Sequence, residues 1–329
     1  MKGPTPRRLR KYVAKCLGLK SYLQCPGDGR PQGRIPAAAL LWGLIMGVLL
    51  RRATFAGMEA LVRSSAGCRP YRNPQREILG YHHQLVMISV VGTGLTLPLD
   101  VEPYGPGESE YHAGRRLLRR AVGNLGPRFA DYVVVDGEFA TAPFLHEAGD
   151  LGLPVVARLK DNLPELLAAA QKRFRHQPPH QVFSHGKDRV EIWDADDFDP
   201  WETLRWETVR VIRYRQHKPN GTVFEAYWLT DFPPQRVSSR AIFRMAKSRW
   251  EVENQGFNDA KNLYGFEHIC HHERRSLLVV WLLTTLALTI ERLYRIRYLH
   301  RGTHPIRQAI TLWQLLWLSL SWPAPDDSS

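Results

Sequence analysis

Hydrophobic residues near both ends of the chain fall in long runs that predict buried helices. One run covers residues 37–50 and another covers residues 277–290, and each is 14 residues long. A helix that crosses a bilayer needs about 20 apolar residues. We therefore interpret both runs as core helices and expect no membrane-spanning segment. A further helical stretch is predicted soon after the first run, over residues 54–65.

Between these runs, the pattern alternates predicted strands with predicted helices. The elements are strands at 81–91, 95–101, 132–135 and 153–159, and helices at 111–122, 143–148 and 162–175. This order favours an α/β fold. The run from Tyr132 to Val135 is apolar without alternation, as is expected of a strand covered on both faces.

The pattern changes over residues 181–232, where polar and apolar positions alternate as in antiparallel strands. We interpret this stretch as a β-rich insertion with a hairpin turn at 217–222. Its four tryptophans are expected in the core of the insertion, with stacking on a flipped base as the alternative; they are Trp193, Trp201, Trp206 and Trp228. A long helix is predicted next, at about 240–262, capped by Ser238 or Ser239.

The charge of the chain is strongly positive and uneven. The formal net charge is +13, and residues 1–80 hold fifteen basic and three acidic residues, a net charge of +12. Such a balance favours a polyanionic partner, nucleic acid first and an anionic membrane surface second. The four cysteines have no metal-site or disulfide spacing, so we expect a reduced, cytoplasmic protein.

Asp136 is the first candidate for chemistry. It follows the predicted strand at 132–135 and precedes a glycine. The carboxyl edge of an open α/β sheet is where ligands and metal ions bind, and a carboxylate there is costly unless it is paired or coordinated. The alternative is an ordinary Asp-Gly turn.

The helix at 240–262 supplies the second candidate. Arg249, Glu253 and Phe257 are spaced four residues apart and therefore share one face. We expect Trp250 and Phe257 to pack inward while Arg249 and Glu253 project together. A carboxylate beside a fixed guanidinium suits a metal-binding acid next to a phosphate clamp. The alternative is a surface ion pair without function.

The segment RWEVENQGFNDAKN, residues 249–262, resembles the catalytic helix of DDE transposases of bacterial insertion sequences. The family signature is Tyr-x2-Arg-x3-Glu-x6-Lys. Arg249 and Glu253 fit it, but Ala246 stands at the tyrosine position and Lys261 arrives one residue late. One extra residue rotates an α-helix by about 100°. The long lysine side chain, or a π-bulge, would recover the contact.

The resemblance covers about residues 35–300 and implies a ribonuclease-H-like catalytic core. The implied domains are a small basic helical DNA-binding domain (1–65), the catalytic domain with its β-rich insertion (66–310) and a C-terminal helix and tail (311–329). Asp136 and Glu253 would be catalytic acids that hold two Mg²⁺ or Mn²⁺ ions. The implied DNA-binding residues are Arg249, Lys261, Trp250 and Asn254.

The first acid of the family has no counterpart in this sequence. It should precede residue 81, yet residues 29–99 contain no aspartate, and residues 66–80 are expected to be irregular. We infer that the segment with the first strand and its aspartate is absent. Glu77 and Asp100 are the nearest carboxylates, and neither matches the family position.

The sequence therefore predicts a transposase that cuts DNA and joins the ends of an insertion sequence to target DNA. Its expected partners are the terminal inverted repeats, target DNA and a second copy of the chain on DNA, in the cytoplasm and nucleoid of a bacterium. Two alternatives stay open, an inactive relic that still binds DNA and a nuclease or RNA-processing enzyme of the same fold class. The arginines of residues 115–120 either grip DNA or form a solvated face, and the histidines at 268–272 are expected on the surface.

Overall fold

The computed structural model describes residues 6–24, 37–49, 69–72, 78–92, 96–105, 107–267, 274–299, 312 and 314. The chain divides into two compact units. One contains residues 67–96 and 100–254, and the other contains residues 1–66, 97–99 and 255–329. The predicted helix at 54–65 and the histidines at 268–272 lie outside the described residues.

A six-stranded mixed sheet forms the centre of the first unit. Its strands are β5 (Val133–Val135), β6 (Val155–Leu159), β7 (Gln181–His185), β8 (Asp188–Phe198), β9 (Val209–His217) and β10 (Val223–Thr230). Their spatial order is β5-β6-β10-β9-β8-β7. The pair β5–β6 is parallel and the other pairs are antiparallel. The predicted α/β class is confirmed, and the strands of residues 181–232 extend the sheet that starts with β5.

Two strand pairs precede this sheet along the chain. The strands β3 (Gln84–Val90) and β4 (Leu97–Tyr104) pair with each other, as the hairpin pattern predicted. Upstream, β1 (Arg69–Arg72) pairs antiparallel with β2 (Ile78–His82). The expectation of irregular structure over residues 66–80 is thus wrong for these strands, because strand formation depends on a pairing partner more than on local composition.

Helices cover both faces of the six-stranded sheet. They are α4 (Glu110–Leu125), α5 (Ala142–Asp150), α6 (Pro164–Arg175) and α7 (Ser239–Glu251). Successive side chains of β6 point to opposite faces, so Val155 and Ala157 enter the core with α4 to α6, while Val156 packs with Ile242 and Phe243 of α7. Trp193 and Trp228 are buried, and Trp201 and Trp206 pack against the core, which confirms their interpretation as core residues.

Helices from both ends of the chain form the core of the second unit. They are α1 (Pro6–Lys15), α2 (Leu19–Tyr22), α3 (Ala37–Leu49), α8 (Asn258–Tyr264) and α9 (Arg274–Tyr294). Leu9 and Val13 of α1, Ile45 of α3, and Ala287 and Ile290 of α9 are buried in one cluster.

The predicted apolar run at 277–290 forms a longer helix than its 14 residues, because the flanking polar residues continue it. Residues 276–299 are long and apolar enough to cross a membrane, judged by length and composition. Of their most apolar window, 56% is buried inside the protein, as in the core helix of a globular unit.

Candidate active site

The parallel pair β5–β6 brings two charged residues to one edge of the sheet. Val135 lies beside Ala157 in the register of this pair. Asp136 follows β5 and Lys160 follows β6, and the carboxyl ends of parallel strands meet at the same edge. The Lys160 ammonium lies 2.6 Å from Oδ1 of Asp136. Sequence reasoning selected Asp136 from this signal and missed Lys160, although the same signal applies to it.

The backbone after Asp136 is shaped around these two side chains. The Gly137 N–H donates a hydrogen bond to Asp136 Oδ1 at 2.6 Å. A Cβ atom at position 137 would lie 3.1 Å from Cδ of Lys160 and 3.3 Å from Oδ1 of Asn162. Nδ2 of Asn162 donates to the Gly137 carbonyl at 2.7 Å. The glycine therefore leaves room for the lysine stem, and Asn162 fixes the turn beneath it.

Helix α7 carries Arg249, and the helical turn that follows it carries Glu253, the second carboxylate of the site. Nη1 of Arg249 lies 2.8 Å from Oε1 of Glu253 and 3.9 Å from Oδ2 of Asp136. The arginine side chain is 15% exposed, and the two carboxylates are 46% and 33% exposed. The structure thus brings together the three residues that the sequence singled out, around one guanidinium group.

The pKa of Asp136 is lowered by its neighbours. Partial burial opposes ionisation of this carboxyl group, but the contacts with Lys160, the Gly137 amide and Arg249 outweigh it and hold the pKa below its usual range. Asp136 is therefore an ionised carboxylate at neutral pH, as a metal ligand must be.

Trp250 does not pack inward as expected. Its side chain is 39% exposed, with its ring 5.0 Å from the Arg249 guanidinium carbon and 6.4 Å from the Phe224 ring. The reason is helical phase, since position 250 lies about 100° from Arg249, whose side chain is 15% exposed. Asn254 is also exposed.

Glu251, the last residue of α7, has a structural role that differs from the role of Glu253. Oε2 of Glu251 accepts a hydrogen bond from the Gly92 N–H at 2.9 Å, and its carbonyl accepts one from Thr96 Oγ1 at 3.0 Å. Glu251 therefore anchors the turn after β3, whereas Glu253 faces Arg249.

A π-helical turn interrupts the helix after Glu251. It spans Val252–Phe257, and α8 continues from Asn258. A π-turn contains about one residue more than an α-turn. That excess equals the one residue by which the spacing from Glu253 to Lys261 exceeds the family signature, and a π-bulge is one of the two alternatives that the sequence left open for this spacing. The Lys261 ammonium pairs with Oε1 of Glu267 at 2.5 Å.

A second arginine, which sequence reasoning missed, lies within electrostatic range of Asp136 and Arg249. Arg158 of β6 is half-buried, with its guanidinium carbon 5.5 Å from the Trp228 ring. Burial is the main cause that lowers the pKa of this guanidinium group. Arg249 lowers the pKa further, whereas Tyr214 and Asp136 raise it. The sequence around Arg158 contains no motif that marks it as a site residue, because a single arginine in an apolar strand more often has a structural role.

The arginines of residues 115–120 form intramolecular ion pairs. Arg115 and Arg119 pair with Glu147 of α5. Arg116 pairs with Glu102 and Glu108, and Arg120 pairs with Glu102 and Asp100. Neither interpretation from the sequence included these pairs, which join α4 to α5 and to β4. Asp100 is thereby bound to Arg120, and Glu77 lies outside the described residues.

The described residues contain no group of three or more Asp, Glu, His or Cys side chains close enough to hold a metal ion. Two carboxylates, Asp136 and Glu253, face the same guanidinium and offer the oxygen ligands that Mg²⁺ and Mn²⁺ prefer. A third carboxyl group, Glu110, lies within electrostatic range of Asp136 and Glu138, and burial is the main cause that raises its pKa. The chemistry of the two carboxylates fits a divalent ion.

Comparison with known proteins identifies the family of the chain. A family model described as the transposase DDE domain matches residues 64–290, which is more than half of the chain. The chain belongs to this family, and the resemblance found in the sequence is confirmed. The particular branch and the loss of a segment with the first aspartate remain predictions.

Among solved structures, the chain is similar to a piggyBac transposase in a synaptic complex with hairpin DNA, determined by cryo-EM. The identity is 12% and the TM-score is 0.46. The alignment covers 80% of this chain and 52% of the other, so the chain spans about half the length of that transposase. A search of curated proteins found no match.

Proposed function

We propose that the protein is a transposase that cleaves DNA and transfers strands at the ends of an insertion sequence with the help of divalent metal ions. The observation that carries the proposal is the convergence of Asp136 and Glu253 on Arg249. Family membership supports the class of reaction. The expected partners are the terminal inverted repeats, target DNA and a second copy of the chain.

Each residue of the proposed site has a separate role. Asp136 and Glu253 would hold Mg²⁺ or Mn²⁺, and two such ions stabilise the attacking and leaving oxygens during displacement at phosphorus. Arg249 orients both carboxylates and offers its guanidinium group to a phosphate. Exposed Trp250 and Asn254 would contact DNA beside the site, and Lys261 would bind a further phosphate.

Nicking of labelled DNA tests the proposal. The substrate is the DNA that flanks the gene, and the wild-type protein should nick it with Mg²⁺ or Mn²⁺ but not with EDTA. Asp136→Ala and Glu253→Ala should both abolish nicking. The matched controls are Asp150→Ala and Glu207→Ala, because both carboxyl groups are exposed and neither belongs to the proposed site. Nicking that persists in both site variants would reject the assignment.

An inactive relic that still binds DNA is the second candidate function. Two observations favour it: no three metal-binding side chains cluster in the described residues, and β5 is an edge strand among the described strands. A missing first strand would leave such an edge unpaired. Binding of the flanking DNA at moderate salt without nicking in any divalent ion would support the relic.

A further inference from the structure

We propose that Lys160 is a further functional residue of this site. Its ammonium neutralises Asp136 while no divalent ion is bound, and it contacts a backbone phosphate of DNA after an ion has displaced it. The inference rests on the proposed function, because it requires that a divalent ion binds at Asp136.

The position of Lys160 is built into the sheet. The parallel register of β5 and β6 places the residues after both strands at one edge, and the ion pair of 2.6 Å follows from it. The absent Cβ of Gly137 admits the stem of the lysine, since a Cβ there would lie 3.1 Å from its Cδ atom. The contact between Lys160 and Asp136 is therefore stabilised by the backbone arrangement as well as by the attraction of the two charges.

The two cations at Asp136 differ in their freedom to move. Arg249 is 15% exposed and also holds Glu253, so leaving Asp136 would break a second contact. Lys160 is 50% exposed, and its flexible stem can swing the ammonium into solvent. Lys160 is the cation that an incoming metal ion displaces more easily.

Charge determines where the displaced ammonium goes. A divalent cation and an ammonium repel each other at one carboxylate oxygen, so the ion drives Lys160 away from Oδ1. A phosphodiester that approaches the ion brings a negative charge close to the same edge. The ammonium then pairs with that phosphate, and one contact replaces the other.

Binding of Mn²⁺ alone to the protein is the first test, measured by the paramagnetic resonance of the free ion. Lys160→Gln removes the competing cation and should tighten Mn²⁺ binding by about two- to fivefold, the range of one exposed ion pair. Lys160→Arg keeps the competing charge and should bind as the wild type does. Arg173→Gln is the matched control, because Arg173 is 49% exposed and pairs with Asp197 at 3.1 Å.

Salt dependence of DNA binding is the second test, with a short duplex of mixed sequence in Ca²⁺ or in EDTA. In Ca²⁺, the logarithmic slope for Lys160→Gln should be smaller than that of the wild type by about 0.9, which corresponds to one lost phosphate contact. In EDTA, both slopes should agree, because Lys160 stays on Asp136 in the wild type. Circular dichroism and thermal melting establish that each variant is folded.

The outcomes separate this inference from the proposed function. If the wild type binds Mn²⁺ and Lys160→Gln binds it equally well, the role of Lys160 is rejected and the metal site stands. Slopes that agree in Ca²⁺, or differ equally in EDTA, reject the phosphate contact. A wild-type protein that binds no Mn²⁺ overturns both the inference and the metal-dependent function.

Discussion

At the scale of single residues, the approach of α4 to the turn after Asp136 depends on a glycine. A Cβ atom at Gly114 would lie 2.5 Å from Cε1 of Phe139 and 3.4 Å from Cε2 of Phe144. Both rings belong to the main core of the larger unit. A methyl group there must displace packed aromatic rings, which costs more than the gain in helix propensity.

Gly114→Ala should therefore lower the free energy of unfolding by about 1–3 kcal/mol in denaturant titration. Gly123 of the same helix provides the control, because a Cβ there meets nothing within 4 Å. Gly123→Ala should raise the free energy of unfolding by about 0.5–1 kcal/mol. If both variants changed stability in the same direction, the close approach at Gly114 would be wrong.

The sequence identified site residues that belong to a recognisable motif. It did not identify site residues whose role depends only on their neighbours in space. Asp136, Arg249 and Glu253 were selected by their strand end and helical spacing, and they meet in the structure. Lys160 and Arg158 belong to the site because of neighbours that are distant along the chain, Asp136 for both residues and Arg249 for Arg158. Their place depends on which strand lies beside β5, and local sequence does not encode strand order.

At the scale of elements, the π-helical turn in the signature helix makes a testable prediction about deletion. Deleting exposed Asn254 removes one residue from Val252–Phe257 and should restore continuous α-helix. We expect the variant to remain folded, with a melting temperature within a few degrees of the wild type.

A deletion in regular helix is the comparison. Ala168 is exposed in α6, and its deletion would rotate buried Ala170 and Phe174 out of the core by about 100°. This variant should unfold or melt far lower. Equal damage from the two deletions would show that the π-turn does not absorb the extra residue.

The link between α4 and α5 gives a prediction about pH. Hydrogen bonds from Arg119 and Arg115 hold the pKa of Glu147 below its usual value, against partial burial. Because the folded pKa is lowered, the contribution of Glu147 to stability is present above the usual carboxyl pKa and is lost as pH falls through the folded value. Glu147→Gln should destabilise the protein at pH 7 by about 1 kcal/mol.

The difference between wild type and Glu147→Gln should shrink below about pH 4, measured by chemical unfolding across pH. Glu207→Gln is the control, since Glu207 is exposed and has no ion pair among the described residues. A difference for Glu147→Gln that does not change with pH would mean that its charge contributes nothing.

Element boundaries followed from the sequence better than the assembly of elements did. The strands of residues 181–232 and the helix that begins after Ser238 lie where the patterns placed them. That the same strands extend the β5–β6 sheet was not predictable, because antiparallel pairing of β10 with β6 joins segments about 70 residues apart. The strand pair β1–β2 was missed for a different reason: its strands lie only five residues apart, but their composition shows no strand pattern without the pairing partner.

At the scale of the whole molecule, the two units differ in which parts of the chain build their cores. The larger unit draws its cores from residues 67–254 alone. The core of the smaller unit combines Leu9 and Ile45 with Ala287 and Ile290, which lie more than 200 residues away along the chain. The division at residues 65 and 310 remains a prediction, and fragments can test it.

A fragment of residues 67–254 should fold cooperatively, because it contains both faces of the six-stranded sheet with the helices that cover them. A fragment of residues 1–65 lacks residues 255–329, which supply half of the buried residues in the described core of this unit, so it should show little helix in circular dichroism. Mixing residues 1–65 with residues 255–329 should restore helix. A cooperative, helical 1–65 fragment would instead establish an independent N-terminal domain, and this fragment, with a formal net charge of +10, would then bind DNA without the remainder.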